Sequence, residues 1–522
     1  MREFNVEGTC VPEEHYMVDI SGKLAEIRVL VDKKKYFTIN RGRQYGKTTT
    51  LLALERFLSD EYTVISISFE GLAEEEFASS EKFCQTLVEK ISESLRFVGV
   101  DETYREAWND SKVNDFMSLG RHITNMCEGR KIVLLVDEVD KTSNNVVFLN
   151  FLSKLREKFL ARRAGKDFTF HSVILAGVYD IRNIKLRLIQ EGLHTPAVGE
   201  TVINNSPWNI AANFKVDMSF SAPEIETMLR EYEQDYHTGM NISAIAKEIH
   251  SYTDGYPVLV SNICKYIDEE LEKKWDSEGV RQAIKLVLKE DGVLFQNLVK
   301  NLKSNQSLSD MIYDILMQDG RWSFTFSNPI VSLSVRYGYF KEIDGRVRIS
   351  NKIFEMWMIN YFVSIDQLEK LKVIVPVVLQ SDIVKDGKFN MQVCLEKFAK
   401  YYHQYYSEKD VEFLERESRD LFIFFLNPIL NGRGFVHIES GFTDDRRMDV
   451  VVNYLDQQFI VELKIWYGDK RHGQAYDQLL GYMDKMSLNE GHLLTFDFRQ
   501  NKKQKQEWVE VEGGRKIFDV MV

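Results

Sequence analysis

The chain has little cysteine, and what it has follows no pattern. Cys10, Cys84, Cys127, Cys264 and Cys394 are an odd number in 522 residues, with no Cys-x-x-Cys pair and no Cys/His spacing. That argues against a disulfide framework and against a structural zinc site, and it fits a reducing cytoplasm. No apolar run approaches the roughly 20 residues that span a bilayer, and the opening Met1-Arg-Glu-Phe-Asn-Val-Glu-Gly8 has no secretion-signal stretch. A soluble, cytoplasmic chain with no membrane partner is expected. Excess positive charge is also missing. A net charge of −12 disfavours bulk coating of nucleic acid, which depends on Lys and Arg neutralising phosphates, but leaves room for one local basic groove. There is no internal repeat and no low-complexity tract.

What remains is ordinary globular composition, 44% hydrophobic and 28% charged, in a chain too long for one core, so two to four domains are expected. Residues 1–215 read as α/β: β-rich runs at Tyr36–Asn40, Tyr62–Phe69, Lys131–Val136 and Ser172–Ala176 alternate with amphipathic stretches, predicting a parallel sheet wrapped by helices. Residues 216–300 read as a helical lid, opening with the capping-box spacing Ser221-Ala-Pro-Glu224. Residues 301–370 show helix (Asp310–Met317), strand (Trp322–Phe326), helix (Pro329–Tyr337) and a hairpin turning at Asp344-Gly345, the order of a winged helix. The boundary falls in Lys370–Lys388. A second α/β domain, 380–522, is expected to contain helices near Met391–His403 and Val411–Leu426, strands at Phe435–Glu439, Met448–Tyr454 and Gln458–Lys464, a helix at Gln474–Met486, and strands at His492–Phe498 and Arg515–Val522.

Two motifs in the first domain carry chemistry. Arg41-Gly-Arg-Gln-Tyr-Gly-Lys-Thr48 follows the first strand and opens a helix over Thr49–Leu58. A helix N-terminus offers unpaired amides and a positive dipole end, so phosphate is its natural ligand. In this Walker A reading Arg41, Gly42, Gly46, Lys47, Thr48 and Thr49 bind ATP. Lys47 reaches the β and γ oxygens and the Thr48 hydroxyl ligates Mg²⁺. The standard spacing puts its first glycine where this chain has Arg41, with Gly42 one place later. Val133-Leu-Leu-Val-Asp137-Glu138 is a buried strand ending in two acids, as Walker B requires: Asp137 holds Mg²⁺ and Glu138 polarises the attacking water. Ser172–Asp180 reads as a sensor strand. Arg182, Lys185 and Arg187 after it are either a phosphate-stabilising finger or a solvated basic face.

These segments, with Val178-Tyr-Asp-Ile-Arg-Asn183 and Tyr252-Thr-Asp-Gly-Tyr-Pro257, resemble prokaryotic AAA-like ATPases, closest to the archaeal-type and signal-transduction (STAND) branch, over about the first 370 residues. The resemblance implies an ATPase core, a helical lid and a winged helix, with Gly255-Tyr-Pro257 as the lid motif that meets nucleotide. It also implies a homo-oligomer.

In the second domain Asp449 opens one strand and Phe459-Ile-Val-Glu462-Leu-Lys464 closes the next. In a hairpin Asp449 and Glu462 come close across the ladder, and Glu462 and Lys464 share a face. Such carboxylates, with the Leu463 carbonyl, suit Mg²⁺, with Mn²⁺ as an alternative, while Lys464 orients or deprotonates water. The arrangement resembles the PD-(D/E)XK nuclease superfamily, a restriction-endonuclease-like fold. Gln478-Leu-Leu-Gly-Tyr482 matches that superfamily's Gln-xxx-Tyr helix motif, implying that both residues approach nucleic acid. Met448 stands where a proline is usual, and the further acid is Glu417 or Glu439. Arg446, Arg447, Lys470, Arg471, Arg499, Lys502, Lys503 and Lys505 are candidates to guide a phosphate backbone, and Trp466 and Tyr467 to stack on bases. The expectation is an ATP-regulated nuclease acting on nucleic acid, with DNA the expected form. The alternative is an ATP-dependent switch whose C-terminal domain binds nucleic acid or a partner without cleaving.

Overall fold

The computed structural model describes residues 2–139, 146–178, 208–290, 292–317, 320–369, 383–406, 421–423, 425–426, 429–430, 433–439, 449–499 and 505–522. Two compact units emerge: Met1–Tyr236 with Gly255–Ser261 and Arg336–Gly338, and His237–Asp254 with Asn262–Val335 and Tyr339–Val522.

The first unit is organised by four parallel strands, β1 (Tyr36–Asn40), β2 (Thr63–Ser68), β3 (Ile132–Asp137) and β4 (Ser172–Gly177), in the order β1-β4-β3-β2. All four stand within a residue or two of expectation. β3 and β4 are buried at every position, because both faces of the sheet are covered. Helices α1 (Ser21–Asp32) and α2 (Lys47–Leu58) pack on Phe37, Ile39, Val133, Leu135 and Ile174. On the opposite face α3 (Ser80–Ser94), α4 (Glu102–Trp108), α5 (Phe116–Cys127) and α6 (Val146–Arg163) meet Tyr36, Ile65, Leu134 and Val173. Each large apolar side chain buried this way contributes about 1.5–3 kcal/mol. The C-terminal ends of β1 and β3 therefore lie on the same sheet edge, separated by β4, inside a rigid frame.

Helix α7 (Ala222–Tyr236) opens as its sequence predicts: the Ser221 amide donates to Glu224 Oε2 at 2.7 Å and the Glu224 amide to Ser221 Oγ at 3.4 Å. An N-terminal arm, not foreseen, clasps this helix. Phe4 and Tyr16 pack against Tyr232, and Arg2 pairs with Glu231 and Asp235 at 2.6 and 3.0 Å.

The second unit holds α8 (Ile242–Thr253), most of α9 (Pro257–Glu269), α10 (Ser277–Lys289), α11 (Val293–Ser304), α12 (Gln306–Met317), most of α13 (Pro329–Tyr337), the hairpin β5 (Phe340–Ile343) and β6 (Arg346–Ile349), and α14 (Lys352–Glu369). Asp344 and Gly345 both take positive φ, 51° and 73°, as a tight hairpin turn demands. The strand expected over Trp322–Phe326 is reduced to an isolated bridge between Ser323 and Arg346. The segment runs beside β6 for too short a distance to build a ladder.

A short hairpin, β7 (Val384–Lys385) with β8 (Lys388–Phe389), and α15 (Met391–Tyr406) lead to a six-stranded sheet. Its strands are β9 (Gly434–Glu439), β10 (Asp449–Tyr454), β11 (Gln457–Ile465), β12 (Glu490–Phe496), β13 (Lys505–Val511) and β14 (Arg515–Met521), in the order β13-β14-β12-β11-β10-β9. β10 runs antiparallel to both β9 and β11, while β11, β12 and β14 are mutually parallel. Helix α16 (Asp469–Met486) covers one face through Ala475, Leu479 and Met483 on Val451, Ile460, Leu493 and Ile517. The other face takes Phe398, Phe422 and Phe425. Residues 411–420 of the expected second helix lie outside the described residues. One strand goes beyond those expected: β13 lies between the expected strands at His492–Phe498 and Arg515–Val522. It is an edge strand against β14, so its outer residues Gln506, Glu507 and Glu510 stay exposed and dilute the apolar alternation.

Candidate nucleotide and metal sites

The loop between β1 and α2 is shaped by two glycines with different tasks. Gly46 caps α2 in the left-handed region, φ 73°, where a side chain is penalised. At Gly42 the constraint is space: a Cβ there would sit 2.7 Å from the Tyr337 carbonyl oxygen and 3.1 Å from its carbon. A glycine at this place thus admits the close crossing of the Tyr337 backbone. Lys47 is buried, and its Nζ donates to the carbonyls of Gly42 at 2.9 Å and Arg41 at 3.2 Å. Arg41 anchors the loop's start, its amide donating to Gly177 O at 3.1 Å and its guanidinium to Val216 O at 3.2 Å. Thr48 Oγ1 donates to Asp137 Oδ2 at 2.6 Å, and the Glu138 amide donates to Asp137 Oδ1 at 2.8 Å. A hydroxyl and a buried carboxylate thus converge beside a lysine at a helix N-terminus, a donor set that suits a polyphosphate and its divalent cation. Glu138 takes φ 54°, a conformation costly for a side-chain-bearing residue and common at functional sites. Thr49 Oγ1 accepts from the Cys10 amide at 3.3 Å, tying the N-terminal arm to α2.

The Gly255-Tyr-Pro257 segment reaches this loop within the same unit. Tyr256 OH donates to Arg43 O at 3.0 Å, and its ring meets Tyr45 edge-on at 4.6 Å. Gly255 has φ 69° and crosses Phe220 so closely that a Cβ would lie 1.9 Å from the Phe220 oxygen.

In the C-terminal sheet, Glu439 stands opposite Asp449, and Val450 opposite Val461. One further step of that register sets Asp449 opposite Glu462, so three acidic positions form one row across β9, β10 and β11. Glu462 is fully buried. Lys464 Nζ lies 2.7 Å from its Oε1, and no other described residue donates to either carboxylate oxygen. A buried carboxylate so poorly satisfied is costly without a further positive partner, and a divalent cation fits that need. Leu463 follows in the same strand. Gln478 and Tyr482 lie on α16, which packs over this face, and Gln478 Oε1 is buried without a hydrogen-bond partner among the described residues.

A second polar cluster on this face escaped the sequence reading. Asp519, fully buried on β14, accepts at Oδ2 from Lys505 at 2.8 Å and from Tyr476 at 2.5 Å, and lies 2.9 Å from His472 Nε2. Burial alone pushes the Asp519 carboxyl up, but the three donors outweigh it and hold it below the ordinary carboxylate range. For Tyr476 burial and the bond to Asp519 both push the hydroxyl up. The signal was an aspartate inside an otherwise apolar strand.

A family model described as an AAA-like domain matches residues 27–358, well over half of the 522 residues. The chain belongs to the AAA-like family. Among solved structures it is similar to the Walker-type ATPase PABY2304 of Pyrococcus abyssi, at 12% identity and TM-score 0.47, over 68% of this chain and 99% of that one. It is also similar to the Aeropyrum pernix ORC2 protein in its ADPNP–ADP complexes, at 12% identity and TM-score 0.30, over 66% and 91%. No curated protein sequence matches.

The AAA-like domain thus brings Arg41, Gly42, Gly46, Lys47, Thr48, Thr49, Asp137 and Glu138 to one sheet edge. Arg182, Lys185, Arg187, Glu417, Arg446, Arg447, Lys502 and Lys503 lie outside the described residues. Among the described residues no helix is long and apolar enough to cross a membrane, and no group of three or more metal-binding side chains assembles.

Proposed function

We propose that this AAA-like protein binds and hydrolyses ATP and uses its nucleotide state to govern a metal-dependent nuclease carried by residues 380–522, with a helical lid at 216–300 and a winged helix at 301–370 between. At the first site Lys47 holds the β and γ oxygens, the loop from Arg41 to Thr49 contributes its amides, Thr48 and Asp137 hold Mg²⁺, and Glu138 orients and deprotonates water. The nucleotide-bound cation supplies charge neutralisation of the transferring phosphoryl group.

The observation that carries the nuclease reading is the Glu462 carboxylate: fully buried, with Lys464 Nζ at 2.7 Å and no other hydrogen-bond donor among the described residues. The row of acidic positions 439, 449 and 462 supports it, and favours Glu439 as the further acid. In this reading Asp449, Glu462 and the Leu463 carbonyl hold Mg²⁺ or Mn²⁺, and Lys464 orients water against the phosphate. Gln478 and Tyr482 hold the nucleic-acid backbone. The bound metal supplies Lewis acidity and an activated water. DNA is the proposed substrate, a homo-oligomer in the cytoplasm the working form, and defence against foreign DNA the proposed role.

The test is cleavage of plasmid, linear and single-stranded DNA with Mg²⁺ or Mn²⁺, with and without ATP, beside Lys47→Ala and Asp449→Ala. Loss of cleavage in Asp449→Ala, with ATP hydrolysis kept, and altered cleavage in Lys47→Ala support the proposal. Cleavage that survives Asp449→Ala sinks the metal-site assignment.

A further inference from the structure

Beyond the acidic row, the top edge of the C-terminal sheet carries a stack of side chains bracketed by two fully buried aspartates. From β14, Asp519 meets His472 Nε2 at 2.9 Å, and the His472 ring lies 5.0 Å from that of Trp466. Arg499 covers Trp466, its Cζ 4.8 Å from the ring centroid. Asp497, also fully buried, takes Arg499 Nε at 2.8 Å and Nη2 at 2.7 Å. The guanidinium is therefore locked in plane and orientation, while the Arg499 side chain remains 50% exposed.

This stack sits next to Lys464. Lys464 pairs with Thr495, and the Trp466 amide donates to Phe496 O at 2.9 Å, so Trp466 and Asp497 stand two residues along their chains, roughly 7 Å, beyond the Lys464–Thr495 pair. Tyr467, the next residue, is 48% exposed. The bidentate pair satisfies the buried Asp497 carboxylate, and it does so through a guanidinium whose side chain stays half in water. A guanidinium held flat is the group that recognises phosphate and stacks on bases.

We propose that Arg499, set by Asp497 and backed by Trp466 and His472, is a preoriented contact for single-stranded nucleic acid entering the site at Glu462 and Lys464, with Tyr467 stacking on an unpaired base. The single strand is favoured because duplex bases bury their π-faces against each other, leaving an exposed aromatic nothing to stack on. In a chain of net charge −12 diffuse attraction is weak, so fixed local donors must supply the affinity. The proposal rests on the nuclease reading for its position, but its first readout is binding.

The experiment measures fluorescence anisotropy of a labelled single-stranded and a duplex oligonucleotide with full-length Lys464→Ala protein, alone and combined with Arg499→Ala, Arg499→Lys, Asp497→Asn or Tyr467→Ala. Single-strand affinity is expected to fall at least about fivefold in Arg499→Ala and Tyr467→Ala. The salt slope should drop by about 0.7 in Arg499→Ala. Arg499→Lys is expected to keep that slope but lose affinity, as lysine restores charge without the plane. Asp497→Asn should fall between the two. Unchanged single-strand affinity in Arg499→Ala, or an equal loss on duplex and single strand, overturns the proposal. Binding that depends on Arg499 in a protein that never cleaves overturns the nuclease reading and leaves this one standing.

Discussion

Replacing Glu462 by glutamine separates a metal-binding carboxylate from an ordinary ion pair. In the metal-free protein Glu462 has one charged partner, Lys464 at 2.7 Å, and no other hydrogen-bond donor among the described residues. At an effective dielectric of about 20 that contact is worth roughly 6 kcal/mol of attraction. Desolvating each ion costs several kcal/mol in return. Glu462→Gln removes that attraction together with the glutamate's own desolvation, which nearly cancel, and leaves Lys464, whose side chain is 19% exposed, able to turn to water, so metal-free stability should change by no more than about 2 kcal/mol. With a divalent cation at about 100 times its Kd, the wild type gains roughly 2.7 kcal/mol, equivalent to a rise in Tm of roughly 5 °C or more. The assay is thermal unfolding followed by circular dichroism, with EDTA, Mg²⁺ or Mn²⁺. A rise in the wild type that is absent in the variant is expected. A wild type indifferent to metal, with a variant destabilised by more than about 3 kcal/mol, refutes the reasoning and makes the pair structural.

Two further predictions follow from the same packing. At Gly42 the nearest obstacle to a Cβ is the Tyr337 backbone, 2.7 Å away, which cannot rotate aside, so Gly42→Ala should cost about 1–3 kcal/mol. Titration with a fluorescent nucleotide should show ATP binding weakened at least about fivefold; unaltered affinity and Tm exclude the steric account. Burial pushes fully buried His492 down to about 4, so the unfolded chain takes up a proton near pH 6.5 that the folded one refuses. Stability from this residue is complete above about pH 6.5 and falls by roughly 3 kcal/mol as pH drops toward 4. Urea unfolding at pH 7.5 and 4.5 should show that loss in the wild type and a flatter profile in His492→Leu; equal pH dependence in both removes His492 as its source.

Most of the long strands and the identity of the first motifs were legible in the residues alone. The runs at 132–137 and 172–177 are apolar at nearly every position, so they could only be strands covered on both faces, and their order with Lys47 made the α/β unit legible. The pattern Asp449, Glu462, Lys464 was legible too, because a hairpin's period of two already aligns those positions. Edge strand β13 was not, since half its residues face water. Tertiary structure alone decided three things. It set Gly42 under the Tyr337 carbonyl, and it brought Tyr256 from 213 residues away in sequence to the Arg43 carbonyl. It also gathered Asp497, just past the end of β12, and Asp519 of β14, with His472 and Trp466, into one stack. Local pattern reports which face a residue occupies along its own element. Which residue from another element meets it there depends on how helices and sheet pack, and no short-range periodicity encodes that.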